Sequence, residues 1–233
     1  MSPRTQPSND PYYGPLHIVL AAETALAGVV IEQLRAVSVT ADPDMIRLYF
    51  VYEGNPDEDE LEEWSCAGTE LHASYPSSAG GLDVVCERIP APGPINIPGV
   101  LVYLRREDPP QQAAIVRGAM IQEVLTNAPP TRPYILYATN RALLGEVTPN
   151  LRYVLVDWTE PTIHIAFYYD GPITDQDAAT AARVAGRVQS WLTGAQVNAF
   201  VERLDYPNKI PLFPQDGKTR VAVYARYELL TAR

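Results

Sequence analysis

The side chains of this sequence best suited to chemistry are three histidines, two cysteines and one crowded run of acids. His17, His72 and His164 fall in a predicted helix, at a predicted helix end and in a predicted strand. None sits in an HxH or HExxH pattern or has a carboxylate at ligand spacing, and single histidines so placed are most often structural. Cys66 and Cys86 lack a CxxC partner and a histidine at metal spacing, so they read as reduced, structural thiols, a disulfide between them being the alternative. The acids Asp57, Glu58, Asp59 and Glu60 run on to Glu62 and Glu63. Successive residues of a helix diverge by about 100°, whereas a calcium loop needs alternating oxygens around a central glycine, so this run is no metal site. Glycine-rich phosphate loops and the GxSxG elbow are absent. The residues therefore predict no catalytic group, no metal ligand and no cofactor. An enzyme built on Asp157, His164 and Tyr169 would need a deep pocket in which the three converge, and the strand phase puts Asp157 near a turn.

What remains is charge, and it is lopsided. Up to Glu107 there are 16 acids and 6 arginines; from Asp108 onward 12 acids meet 12 bases, so the whole net charge of −10 belongs to the first half. An acidic face repels phosphate backbones and attracts basic partners, which argues against nucleic-acid binding there. Acids in the first turn of a helix also favour the helix dipole and solubility, the simpler reading of the same run. The 14 tyrosines offer interface area with a polar tip, and are equally ordinary strand residues.

These residues are positioned by a segment that occurs twice. Leu34-Arg35 and Leu151-Arg152 open two stretches that align without a gap at an offset of 117 positions. Val37/Val154, Val39/Val156, Ile46/Ile163, Phe50/Phe167, Tyr52/Tyr169 and Gly54/Gly171 coincide. Upstream, the run from Ala25 lies on that from Ala142, with Gly28 on Gly145; downstream, Glu87-Arg88 lies on Glu202-Arg203, and Tyr103 and Glu107 lie on Tyr224 and Glu228. A repeat of half the chain means two copies of one domain. In each copy a Leu/Ala/Val-rich helix precedes two strands of alternating pattern, a capped amphipathic helix and two further strands. In the first copy the helix is expected over Pro15 to Ile31 and the strands over Leu34 to Thr40 and Ile46 to Tyr52. The acidic helix follows, capped by Asn55 with Pro56 first and Glu58 in the box position, its apolar stripe being Leu61, Trp64, Cys66, Ala67 and Leu71. In the second copy the helix is expected over Tyr134 to Val147, and Thr174 with Asp177 caps a helix whose exposed face carries Arg183 and Arg187. The fold expected is α+β: two tandem repeats, each α-β-β-α-β-β, with a four-stranded, mostly antiparallel sheet and helices packed on one face. The other face, carrying Tyr49, Val51, Ala166 and Tyr168, must be solvated, stacked on the other repeat, or covered by a partner. The organisation expected is a disordered lead over residues 1–12, a first acidic repeat over 13–107, a bridging helix over 108–130 and a second repeat over 131–233. No stretch is apolar for the ~18 residues that span a bilayer, and no signal pattern opens the chain, so the expected location is cytoplasmic without membrane contact.

The second copy resembles a known family. The runs ALLGEVTPNLRYVLVDWTEPTIHIAFYYDG, ERLDYPNKIP and VAVYARYE are similar to the small immunity proteins of contact-dependent growth inhibition, which act as colicin-type immunity proteins do. The residues carrying the likeness are Leu144, Gly145, Leu151, Arg152, Val156, Asp157, Ile163, Phe167, Tyr169, Asp170, Gly171, Asp175, Arg203, Leu204, Pro207, Pro211, Tyr224 and Glu228. The first copy keeps Gly28, Leu34, Arg35, Phe50, Gly54, Glu87, Arg88, Tyr103 and Glu107, but has Thr40-Ala41 in place of Asp157-Trp158. The resemblance implies a non-enzymatic protein that occludes the active site of a cognate bacterial toxin, often a basic nuclease. Complementary charge would speed that encounter. The expected partner-binding residues are Glu53, Asp57, Glu58, Glu60, Glu63, Asp157, Asp170 and Asp175. The alternative is a structural or self-assembling interaction module without a toxin, and a homodimer is compatible with either.

Overall fold

The computed structural model describes residues 15–42, 44–74, 80–107, 128–208, 220–226 and 228. Two units of the same build follow one another. The first has α1 (Pro15–Ala25), β1 (Leu34–Asp42), β2 (Met45–Tyr52), α2 (Glu58–Ser74), β3 (Leu82–Arg88) and β4 (Val100–Leu104). The second has α3 (Arg132–Leu143), β5 (Leu151–Thr159), β6 (Thr162–Tyr169), α4 (Asp175–Trp191), β7 (Gln196–Arg203) and β8 (Arg220–Ala225). The expected lead segment, and most of the expected bridging helix, lie outside the described residues.

Each unit is built on a four-stranded sheet, in the order β3-β2-β1-β4 and β7-β6-β5-β8. The hairpin pairs β1/β2 and β5/β6 are antiparallel, as are β1/β4 and β5/β8, while β2/β3 and β6/β7 run parallel because a helix crosses between them. Both copies bulge at the same places, between Leu34 and Ala36 and between Leu151 and Tyr153. Alternation in β2 works as expected: Ile46, Leu48 and Phe50 are fully buried under the helices. The face of Phe50 carries the Trp64 ring from α2, stacked at 5.0 Å.

The structure corrects several local expectations. The first helix stops at Ala25 rather than Ile31, because Gly28 takes a left-handed φ of 86° and donates its N–H to Ala225 O. The cap of α2 is Asp57, not Asn55: Asp57 Oδ1 accepts from Glu60 N–H at 2.8 Å and Glu60 Oε2 accepts from Asp57 N–H at 2.8 Å. Cys66 is exposed and leaves the apolar stripe, where Gly68 takes its place against Val84. Strand β1 is buried on both faces instead of one. Its second face is closed by the Pro/Gly-rich connection before β4, whose Ile95 and Ile97 pack with Ala36, Val51 and Leu101. The connection lacks regular structure because of its breakers, yet it serves as a lid on the sheet. The Thr174–Asp177 box of α4 forms as its sequence predicts.

The units meet as mirror roles of one contact, and their sheets do not stack. Gly28 N–H donates to Ala225 O at 3.1 Å, and its counterpart Gly145 N–H donates to Leu104 O at 2.9 Å. Val30 bridges to Arg226, and the counterpart Val147 bridges to Arg105. A contact in which i meets j while the counterpart of j meets the counterpart of i is that of a two-fold dimer, here within one chain. One apolar cluster, including Leu26, Val29, Tyr103, Ala138, Leu143 and Tyr224, runs through both units. The inner sheet edges β4 and β8 are thus capped by the other unit's turn, and β3 and β7 are left as the outer edges.

Candidate functional site

The eight acids expected to bind a partner separate into two groups. Glu53 and Asp170, equivalent in the two copies, are tied down. Glu53 Oε1 accepts from Arg105 Nη2 at 2.6 Å, and Asp170 Oδ2 accepts from Arg226 Nη2 at 3.2 Å. Burial pushes the Glu53 carboxyl up, but the bonds from Arg105 and from Ala91 N–H outweigh it and hold the group below the usual carboxylate range. Asp157 faces Arg220 at 3.5 Å across the β5/β8 pair. The other group stands outside such pairs among the described residues: Asp57, Glu58 and Asp175 are exposed at helix starts, and Glu60 and Glu63 are half-buried on the first turns of α2. Asp57 and Glu60 spend one oxygen each on the capping box.

The arginines of the repeated motif have an internal use. Arg35 is completely buried; its Nε and Nη2 donate to the two carboxylate oxygens of Glu107 at 2.6 and 2.9 Å. Its Nη1 donates to Ile89 O at 2.7 Å and Nη2 also to Gly93 O at 3.0 Å, fastening the lid segment. Arg152 does the same with Glu228, Leu204 O and Asn208 O. Arg105 joins Glu107 to Glu53 and to Glu32 O, as Arg226 joins Glu228 to Asp170 and to Pro149 O. Each unit therefore holds two arginines and two carboxylates in one network with every guanidinium fork in use, the arrangement a buried charge requires. The residues that carry the family likeness are here the scaffold. On the second copy, Arg183 and Arg187 are not a free basic face either, since both reach the buried Glu146, at 2.8 and 3.1 Å.

Asp157, His164 and Tyr169 do not converge. Asp157 and His164 are directly opposed on β5 and β6, whereas Tyr169 lies in the core with its hydroxyl buried, so burial pushes that hydroxyl up. Among the described residues no group of three or more His, Cys, Asp or Glu could hold a metal ion. No helix among them is long and apolar enough to cross a membrane.

Sequence reasoning missed a second surface. The large apolar side chains most exposed among the described residues are Ile173, Phe200 and Tyr206, 40%, 47% and 44% accessible, all in the second unit. Ile173 and Tyr206 sit on loops joined by two reciprocal bonds, Gly171 N–H to Asp205 Oδ1 and Tyr206 N–H to Asp170 Oδ1. Arg203 and Gly171 N–H hold the Asp205 carboxyl down to about 2. Phe200 projects from the outer edge strand β7. The equivalent positions of the first copy are Pro56, Val85 and Ala91, so comparing the copies for positions where the second gains a larger or aromatic side chain would have found these residues.

The duplicated α+β scaffold thus turns its repeated charges inward and leaves acids and a few large apolar groups outside. Comparison with known families gives the class. The MafI2 immunity protein family matches residues 15–107 and again 132–228, and the chain belongs to that family with two copies of its domain. The immunity class implied by the resemblance therefore holds; the Maf toxins form a system distinct from contact-dependent growth inhibition. No curated protein matches. Among solved structures, CdsD, a structural protein of the type III secretion system of Chlamydia trachomatis, is 16% identical over 82% of this chain and 93% of its own. The C-terminal domain of CdsD, in a second structure, is 15% identical over 87% and 100%. Both have a TM-score of 0.22, a likeness too slight to carry an argument.

Proposed function

We propose that the protein is a non-enzymatic, cytoplasmic immunity protein that binds and neutralises a cognate bacterial toxin, a basic protein of the nuclease type delivered by a neighbouring cell. The observation that supports this reading is the double match to an immunity family. The acids left outside internal ion pairs among the described residues, Asp57, Glu58, Glu60, Glu63 and Asp175, are the proposed landing surface; a basic catalytic cleft is the surface they would complement. Glu53, Asp157 and Asp170 are paired with Arg105, Arg220 and Arg226, and in this reading they meet the toxin from within those pairs. The test is to look for a toxin-like reading frame beside the gene and co-express it: growth should be rescued, and Asp57, Glu58 and Glu63 changed together to lysine should lower the association rate at low salt by roughly tenfold or more. Rescue by the triple variant at an unchanged rate would remove α2 from the interface.

The exposed Ile173, Phe200 and Tyr206 favour a second reading, in which the second repeat makes the contact. Exposed aromatic groups are enriched at interaction sites, and their truncation acts on dissociation more than on encounter. Phe200→Ala with Tyr206→Ala would then raise the dissociation rate while the lysine triple left it unaltered.

A further inference from the structure

Where two copies of one unit pack about an internal two-fold axis, a residue on that axis meets its own counterpart. Glu23 of α1 and Asn140 of α3 are separated by 117 positions, the offset of the duplication, and Asn140 Nδ2 donates to Glu23 Oε2 at 2.6 Å. They therefore lie on the axis. Both are buried, at 8% and 9% accessible, and Glu23 Oε1 is buried without a hydrogen-bond partner. They line a pocket of about 30 Å³ together with Tyr103 and Tyr224, a second pair of counterparts.

We propose that the unlike pair Glu23–Asn140 makes the two repeats choose each other: it joins a first repeat to a second, and sets carboxyl against carboxyl in any pairing of two first repeats from separate chains. The contact surface is otherwise self-complementary, with Gly28 and Gly145, and Val30 and Val147, making the same bonds. Nothing in those bonds distinguishes like from unlike pairing, so discrimination falls to side chains, and those on the axis are the ones that would meet their own copies. Two carboxylates buried within hydrogen-bond distance cannot both ionise, whereas an amide facing a carboxylate supplies a donor. The groups around Glu23 reinforce the asymmetry. Arg141, next to Asn140, has Thr24 as its counterpart, so the nearby cation is present from one side only. Tyr137 faces it from α3, and Tyr103 and Tyr224 of β4 and β8 line the same pocket. Burial raises the Glu23 carboxyl well above its usual range, against the opposing pull of Asn140 and Arg141.

The test is a charge-swap cycle in the full chain, read by thermal unfolding between pH 5 and pH 8. Asn140→Glu places inside the native contact the pair that two first repeats would bring together. Its Tm should fall by roughly 10 °C at pH 8, and by clearly less at pH 5, where one carboxyl is readily protonated. Glu23→Asn, which mimics pairing of two second repeats, should cost less. The swap Glu23→Asn with Asn140→Glu restores an unlike pair and should regain most of the loss. If Asn140→Glu matches the parent at pH 8, or if the swap is as damaged as Asn140→Glu alone, the axis residues do not choose the pairing and the proposal fails. Should Asn140→Glu fail to fold at pH 8, the swap variant decides alone, by folding or not.

Discussion

The first and second repeats keep the same skeleton and have diverged in what they show to the outside. Arg35, Arg105, Glu53 and Glu107 in one, and Arg152, Arg226, Asp170 and Glu228 in the other, form the same network bond for bond. Where α2 carries the exposed Cys66 and Glu70, α4 carries Arg183 and Arg187, both used on Glu146. Where the first copy has Pro56, Val85 and Ala91, the second exposes Ile173, Phe200 and Tyr206. A buried ion network resists change, because removing one member strands another charge; surface positions carry no such penalty. Duplication thus left two outsides free to specialise on a shared interior.

The comparison breaks most easily at the networks. Arg35→Ala and Arg152→Ala should each cost about 3 to 5 kcal/mol in urea unfolding, by leaving Glu107 or Glu228 without its fork and the adjoining carbonyls without donors. Unequal costs would mean the two networks are equivalent in geometry only.

Next comes a position where the backbones of the copies differ. Gly99 has φ of 90°, and a Cβ there would lie 2.3 Å from Val39 O and 2.6 Å from Thr40 Cγ2. Its counterpart is Arg220, which instead faces Asp157, the counterpart of Thr40. Gly99→Ala should cost about 2 to 4 kcal/mol, against about 1 kcal/mol for Arg220→Ala, as measured by the shift in urea midpoint.

The helix caps sharpen the likeness. Asp57→Ala and Thr174→Ala each remove a reciprocal box and should cost about 1 kcal/mol apiece, so a large inequality would show that one helix is held mainly by packing. Smallest in stability, within about 0.5 kcal/mol, should be Phe200→Ala, since the ring is half in solvent; a toxin-binding assay is where it should register.

Acid titration offers a further contrast. The folded protein holds the Glu53 carboxyl below its usual range, so that group contributes stability above the unfolded pKa and loses it as pH falls. Glu23 is raised, so its contribution runs the other way, full at low pH and lost as pH rises. Glu23→Gln should therefore flatten the alkaline side of the stability profile and leave the acid side intact.

Much of the fold was legible in the residues. The 117-position register located both sheets, their hairpins and the cap at Thr174, because strand alternation and capping chemistry are local. The acidic surface was legible only in part. Glu53 and Asp170 look like Glu58 in the sequence, and only the tertiary structure brings Arg105 and Arg226 from β4 and β8 to pair with them. Spacing alone puts Cys66 in the apolar stripe, and Gly68 displaces it because α2 lies so close to β3 that a Cβ at Gly68 would meet Val84 at 2.4 Å.

By itself the sequence determined that one unit is present twice, what elements compose it, and that the net negative charge lies in the first half, since periodicity, breakers and composition act over a few residues. Tertiary structure decided which charges remain free, that the breaker-rich segment before β4 closes a sheet face, and that Glu23 meets Asn140 on an internal axis. Those are contacts between positions far apart along the chain, and their energies depend on distance and burial, which no local pattern encodes.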